Sequence, residues 1–272
     1  MIRLVATDLD GTLLRDDKTI NDWTRSVLDA VQERGVHVVP VTARQPRGLT
    51  HIADACGLSG WSICANGALV RGITTGEVLF ERHVELEAMQ ALAARLDQEL
   101  PGVVYAAVLD QGARFAVAPG YRALAHPDDH QPAIRDAIEL SRYELLARPA
   151  LKLLARHATV PAVDLAALIS RVDGSGVHAT TSGAGFVEMA AAGTTKATGL
   201  AALCDGLGIR PDEVVAFGDA PNDVEMLQWA GTSYAMANAV DATRRAAGAT
   251  TTSNMDDGVG RALMDLMRAG RL

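Results

Sequence analysis

The chain has little that would staple it from outside: only three cysteines, Cys56, Cys64 and Cys204, stand among 272 residues. They lie far apart and form no CxxC pair, which excludes a disulfide framework and a thiolate zinc site; buried free thiols are expected instead. Dense Lys/Arg blocks are missing too, and the formal net charge is -8, so a polyanion such as nucleic acid finds no electrostatic footprint. There is no repeat, low-complexity run or linker. The opening MIRLVATDLD places acids directly behind a short apolar run, where neither a signal peptide nor a membrane anchor can be built; a cytoplasmic protein with no membrane partner is expected. Two further motifs are incomplete. Ala192 to Lys196 lacks the full GxxxxGK[ST] pattern, which disfavours a nucleotide triphosphatase, and His126 to His130 lacks the helical HExxH arrangement of zinc sites, which leaves a solvated loop.

What is present is a large apolar fraction, 49%, enough for a substantial core in one large or two unequal domains. Ile2 to Thr7 reads as a buried strand, Asn21 to Arg34 as a helix capped by Asn21, and Val36 to Val41 as a second strand. Trp61 to Ala65 forms a third short strand ending in the turn dipeptide Asn66-Gly67. Alternation of this kind predicts an α/β chain with a Rossmann-like, doubly wound, mostly parallel sheet covered on both faces. The middle differs: Val103 to Leu109 and Ala113 to Ala118 flank Asp110-Gln111-Gly112 as a hairpin. Alternation resumes from Thr195, with the strand Val214 to Phe217 and a helix after Asn222. The simplest parse is a core of residues 1–83 and 186–272 interrupted by an α+β insertion at 84–185, with Ser182 to Gly185 as a glycine-rich hinge.

Chemistry concentrates at two strand ends. Asp8-Leu9-Asp10-Gly11-Thr12 closes the first strand, and Gly218-Asp219-Ala220-Pro221-Asn222-Asp223 follows Val214 to Phe217. In open parallel sheets ligands bind at the carboxyl ends of the strands. Neighbouring acids there cost stability unless a cation or a proton is present, and oxygen ligands suit magnesium. A capped turn at Asp8 to Gly11, or a helix N-cap at Asn222 or Asp223, would use the same residue types. Because the chain is acidic overall, a site for a phosphate ester must concentrate positive charge locally.

DLDGTL at 8 to 13, Thr42 ending a strand, Lys196 before a helix and GDAPNDVEML at 218 to 227 together resemble the haloacid dehalogenase superfamily. Asp10, two residues after Asp8, is typical of its phosphatases and phosphotransferases. The insertion between the second and third motifs, with Ala235 to Ala239 and Asp257-Gly258-Val259, is similar to the Cof-type branch, subfamily IIB, which carries a C2 cap. The likeness spans essentially the whole chain.

The resemblance implies Asp8 as nucleophile and Asp10 as acid and then base, with Mg²⁺ held by Asp8, Asp219 and the Asp10 backbone carbonyl, and by Asp223 directly or through water. It implies that Thr42 and Lys196 grip the phosphoryl oxygens, that Asn222 orients Lys196 or the phosphate, and that Asn66 contacts phosphate or substrate. The family often has Gly where Ala43 stands, so the aim of Arg44 is left open between substrate, cap and a surface ion pair. The expected activity is Mg²⁺-dependent hydrolysis of small phosphate monoesters (sugar phosphates, nucleotides or cofactor phosphates) through an aspartyl phosphate on Asp8. The partner is then a small phosphorylated metabolite, chosen by the inserted cap. A phosphomutase or phosphotransferase on the same scaffold, or a phosphometabolite-binding regulator without turnover, would share the motifs.

Overall fold

The computed structural model describes residues 1–126, 134–172, 176–181 and 185–272. Its elements begin with β1 (Leu4–Thr7), α1 (Asp22–Gln32), β2 (His37–Pro40), α2 (Thr50–Cys56), β3 (Trp61–Cys64), β4 (Leu69–Gly72) and β5 (Val78–Glu81). There follow α3 (Leu86–Glu99), β6 (Val104–Leu109), β7 (Arg114–Val117), β8 (Ile138–Glu139), α4 (Arg142–Leu146), β9 (Lys152–Arg156), α5 (Ala162–Val172), β10 (Val177–Thr180) and β11 (Val187–Ala191). The chain closes with α6 (Lys196–Leu207), β12 (Val214–Gly218), α7 (Val224–Trp229), β13 (Thr232–Ala235), α8 (Asp241–Ala246), β14 (Ala249–Thr250) and α9 (Gly258–Arg268). Two compact units result, one of Met1–Arg44, Gly48–Phe80 and Thr195–Leu272, the other of Gln45–Arg47 and Glu81–Thr194.

The first unit is built on a parallel sheet in the order β14-β13-β12-β1-β2. Leu4, Val5 and Ala6 of the central strand are fully buried, as an unbroken apolar strand must be when both sheet faces are covered. β1 lies between β12 and β2, with Thr7 in register with Phe217 and Pro40. The Asp8 N–H donates to the Phe217 carbonyl at 3.0 Å, so the ladder runs on to the first acid and sets the two acidic strand ends side by side. Asn21 caps α1 as expected, its side chain accepting the Trp23 N–H at 2.8 Å. Beyond β3 the structure adds what local pattern did not show: β3 pairs antiparallel with β4 in a three-stranded sheet, β3-β4-β5. All three cysteines are buried free thiols, and no helix among the described residues is long and apolar enough to cross a membrane.

The second unit is a six-stranded sheet, β10-β11-β9-β6-β7-β8, antiparallel except for the β7–β8 pair. One face carries Tyr105, Leu153, Val187 and Met189 into a core with Met89 and Leu96 of α3 and Leu165 and Ile169 of α5. On the opposite side, Lys152 and Glu188 form a buried ion pair, and the Arg156 guanidinium lies 5.0 Å and 4.9 Å from the Tyr121 and Phe186 ring centres. The expected end of the insertion at 185 falls too early. β11 pairs with both β10 and β9, so the unit continues to Thr194; an apolar run does not declare which sheet it will join. Residues 127–130 of the histidine-containing loop and 182–184 of the expected hinge lie outside the described residues.

Candidate active site

The two strand ends converge on one lysine. Lys196 is the first residue of α6, whose preceding Thr195 accepts the Thr198 N–H at 3.3 Å while the Thr198 hydroxyl accepts the Thr195 N–H at 2.9 Å. A cation at a helix N-terminus opposes the helix dipole, so it needs a compensating partner. It has two: Lys196 Nζ donates to Asp8 Oδ1 at 2.7 Å and to Asp223 Oδ1 at 2.6 Å, with all three side chains buried. Burial alone would lower the ammonium pKa, but the charges of Asp223 and Asp8 outweigh it and raise it above the ordinary lysine value.

Asp8, Asp219 and Asp223 each offer a carboxylate oxygen within 4.8 Å of the others. Burial pushes the Asp8 carboxyl well above its usual range, against the pull of Lys196 and with added repulsion from Asp223 and Asp219. Burial likewise raises Asp219 to about 6, opposed by a hydrogen bond from the Thr12 hydroxyl at 2.7 Å and reinforced by Asp223. Three acids facing one ammonium are short of positive charge, and an all-oxygen donor set is what a hard divalent cation requires. The site is therefore compatible with a hard divalent metal ion. Asp223 is the least available of the three: its Oδ1 holds Lys196, and its Oδ2 accepts the N–H groups of Asp219 and Ala220, both at 3.0 Å.

Asp10 follows the turn at Asp8 but points into a different set of partners. Arg44 grips it with both arms, Nε to Oδ2 at 2.6 Å and Nη2 to Oδ1 at 2.7 Å, and Lys18 Nζ lies 3.0 Å from Oδ1. Burial would raise the carboxyl, but the hydrogen bonds and charge of Arg44, then those of Lys18, hold it well below the usual carboxylate range. Arg44 is thus engaged in a partly buried ion pair with Asp10.

The remaining candidates, Thr42, Asn66 and Asn222, are joined to one another, the Asn66 N–H donating to the Thr42 carbonyl at 3.1 Å. Thr42 is buried two residues beyond β2; its hydroxyl accepts the Arg44 N–H at 3.1 Å, which leaves the hydroxyl proton for another acceptor. Asn222 donates from Nδ2 to Asn66 Oδ1 at 2.9 Å, while its own buried Oδ1 has no partner among the described residues. Asn66 sits in a left-handed run, Ala65, Asn66 and Gly67 having φ of 51°, 57° and 97°. At Gly67 the α6 N-terminus comes so close that a Cβ would run into the Thr195 carbonyl oxygen.

Several contributors escaped local pattern. Thr12 was legible only as part of the DLDGT run, and Lys18 had no signal at all. Asn238 and Asn254 brace the Asp8 turn from behind. Asn238 Nδ2 donates to the Gly11 carbonyl at 2.8 Å and its Oδ1 accepts the Asn254 N–H at 3.1 Å; Asn254 Nδ2 donates to the Leu14 carbonyl at 3.0 Å.

A family model for haloacid dehalogenase-like hydrolases matches residues 5–263. The 5-amino-6-(5-phospho-D-ribitylamino)uracil phosphatase YitU of Bacillus subtilis (strain 168) is 29% identical, with 96% of each chain covered. The HMP-PP phosphatase of Cronobacter sakazakii is 30% identical over 88% of this chain and 86% of its own. The solved structure of BT4131, a HAD subclass IIB sugar phosphatase, shares the fold: TM-score 0.83, 21% identity, covering 99% of this chain and all (100%) of that one.

Proposed function

The chain belongs to the haloacid dehalogenase-like hydrolases, and from that premise we propose that it hydrolyses small phosphate monoesters with Asp8 as nucleophile. One observation carries the reading: Asp8 and Asp219, at the ends of adjacent strands, share a buried site with Lys196, 2.7 Å from Asp8, while Asp10 stands beside them. Relatives named for different phosphorylated metabolites, a ribitylaminouracil phosphate and HMP-PP, support the substrate class without choosing a member. The second unit is read as the cap that selects the leaving group.

In the first step an Asp8 oxygen forms a bond to phosphorus, the ester P–O bond breaks, and the departing alkoxide takes a proton from Asp10, which serves as donor only once its carboxyl has left the Arg44 and Lys18 contacts that hold it ionised. In the second, water attacks the aspartyl phosphate and gives a proton to Asp10. The Asp8–phosphorus bond breaks, releasing phosphate and restoring both acids. Lys196 and the Thr42 hydroxyl bind the phosphoryl oxygens, one as a point charge and the other as a donor. Asp8, Asp219 and the main-chain carbonyl of Asp10 would hold Mg²⁺, with Asp223 fixing Lys196 and the 219–220 backbone behind them. When bound, the ion neutralises charge on the phosphoryl group.

The deciding experiment is phosphate release from a panel of small phosphorylated metabolites with Mg²⁺ and with EDTA, beside an acid-quench search for phosphate on Asp8. Metal-dependent release, lost in Asp8→Asn, is expected. Isomerisation of a sugar phosphate with little release would make the chain a mutase. Tight binding without turnover would make it a regulator, and normal rates in Asp8→Asn would end the assignment.

A further inference from the structure

We infer that Arg44 and Lys18 form an anion-binding subsite for the leaving group. The substrates it selects are phosphate monoesters whose alcohol carries a second oxyanion, carboxylate or phosphate, close to the ester oxygen; the inference rests on the reading of Asp8 as nucleophile with Asp10 beside the leaving group. Two cations face one carboxylate here. Arg44 Nε and Nη2 hold the two Asp10 oxygens at 2.6 and 2.7 Å, and Lys18 Nζ lies 3.0 Å from Oδ1. In a chain of formal charge -8, such a local excess of cations is what an anionic ligand is drawn to.

The donors are not used up by Asp10. A guanidinium carries five N–H bonds in a planar fork, and Asp10 takes only the side-on pair, Nε and Nη2. Among the described residues nothing accepts from Nη1, so the end-on pair, Nη1 with the second Nη2 proton, is left for two oxygens of a carboxylate or phosphate. The Lys18 ammonium has three donors and one carboxylate contact. The Arg44 side chain is 16% exposed and that of Lys18 55%; a ligand can reach both, and water competes least at Arg44, where a charge-assisted bond is strongest. Arg44 is also pinned: its N–H donates to the Thr42 hydroxyl at 3.1 Å and its carbonyl accepts the Ala65 N–H at 2.9 Å. Thr42, proposed to bind the reacting phosphoryl group, and Arg44 therefore sit on one fixed segment, which sets the spacing between two anionic groups of a ligand.

The test is calorimetric titration at fixed free Mg²⁺ with three phosphonates that cannot be hydrolysed: propylphosphonate, 3-phosphonopropionate and ethane-1,2-diphosphonate. The second and third add a carboxylate or a phosphonate at the same distance from the first phosphorus. At least one of them should bind the unaltered protein about 10- to 100-fold more tightly than propylphosphonate, the range of one or two hydrogen bonds to charged groups, and the tighter of the two tells carboxylate from phosphate. Arg44→Met should abolish most of that preference, Lys18→Met should reduce it less, and Arg44→Lys should retain part of it. Because Arg44→Met also leaves the Asp10 carboxylate to repel the ligand, both changes are repeated on an Asp10→Asn background: the preference should persist in Asp10→Asn and vanish when Arg44→Met is added. A preference surviving in that double variant would assign the effect to Asp10 repulsion and overturn the inference, as would equal affinity of all three phosphonates for the unaltered protein. If Arg44→Met does not fold, an unchanged preference in both Arg44→Lys and Lys18→Met overturns it. Absence of phosphate release from every metabolite in the panel would instead end the hydrolase reading, whatever these affinities are.

Discussion

Lys196 Nζ stands 2.7 Å from Asp8 Oδ1 with both side chains withdrawn from water. A buried ammonium is tolerated here only because the Asp8 and Asp223 carboxyl groups flank it and accept its hydrogen bonds. Asp8, the proposed nucleophile, and Lys196 are therefore one structural unit, and neither can be removed alone without leaving the other buried and short of a partner.

Lys196→Met should accordingly be both inactive and fragile. Stripped of its lysine, the site keeps three carboxylates within 4.8 Å and no buried cation among them, and breaking such a pair typically costs about 3–5 kcal/mol. Thermal unfolding in EDTA is expected to show a clear fall in Tm. A Tm equal to the parent would mean that the acids relax into water more readily than their burial indicates.

Divalent metal should raise the Tm of the unaltered protein, since binding to the folded state alone stabilises by about 2.7 kcal/mol at a hundredfold excess over Kd. Asp219→Asn should abolish most of that shift yet leave the Tm in EDTA no lower than the parent's, because the carboxyl it removes is held up to about 6 by burial and by Asp223 against the Thr12 hydrogen bond. The same Mg²⁺-induced shift in Asp219→Asn would place the cation elsewhere.

The parts of this site that were legible in the sequence are those written in a few consecutive residues. An apolar strand followed by acids and a glycine announces a strand end, and DLDGTL and GDAPND each did so without help from the rest of the chain. Pairings across long separations left no local trace: Arg44 reaches back 34 residues to Asp10, and Asn222 reaches 156 to Asn66. The sheets divide the same way. β1 and β12 were plain from their apolar runs, whereas β11 looked like any short strand, and only its partners β9 and β10 assign it to the second unit. β4 and β5 follow the Asn66-Gly67 turn in a stretch with neither clear alternation nor a continuous apolar run, so nothing in it distinguished hairpin from loop.

The brace behind the Asp8 turn should matter through geometry. Asn254→Ala removes donors to the Leu14 carbonyl at 3.0 Å and to Asp16 Oδ1 at 3.0 Å, leaving a buried carbonyl unsatisfied at a cost of about 1–3 kcal/mol. A drop in Tm is expected together with a fall in kcat larger than any change in KM, as the turn that aims Asp8 and Asp10 loosens. An unaltered kcat at reduced stability would confine Asn254 to holding the fold.

Gly67 and Gly35 offer a paired test of how closely the lysine helix must approach the Asn66 turn. Both have left-handed backbones, φ 97° and 77°, so alanine at either strains the chain by about 1–2 kcal/mol. Their surroundings differ. A Cβ at Gly35 meets nothing within 4 Å, whereas one at Gly67 would collide with the Thr195 carbonyl immediately before Lys196. Gly35→Ala should therefore lower Tm and leave turnover nearly intact. Gly67→Ala should lower Tm further and cut activity sharply, because relieving the clash moves the α6 N-terminus and carries Lys196 off Asp8 and Asp223. Equal activity in the two variants would show that Lys196 is held by its carboxylates alone, and that the close packing of α6 against the turn serves only stability.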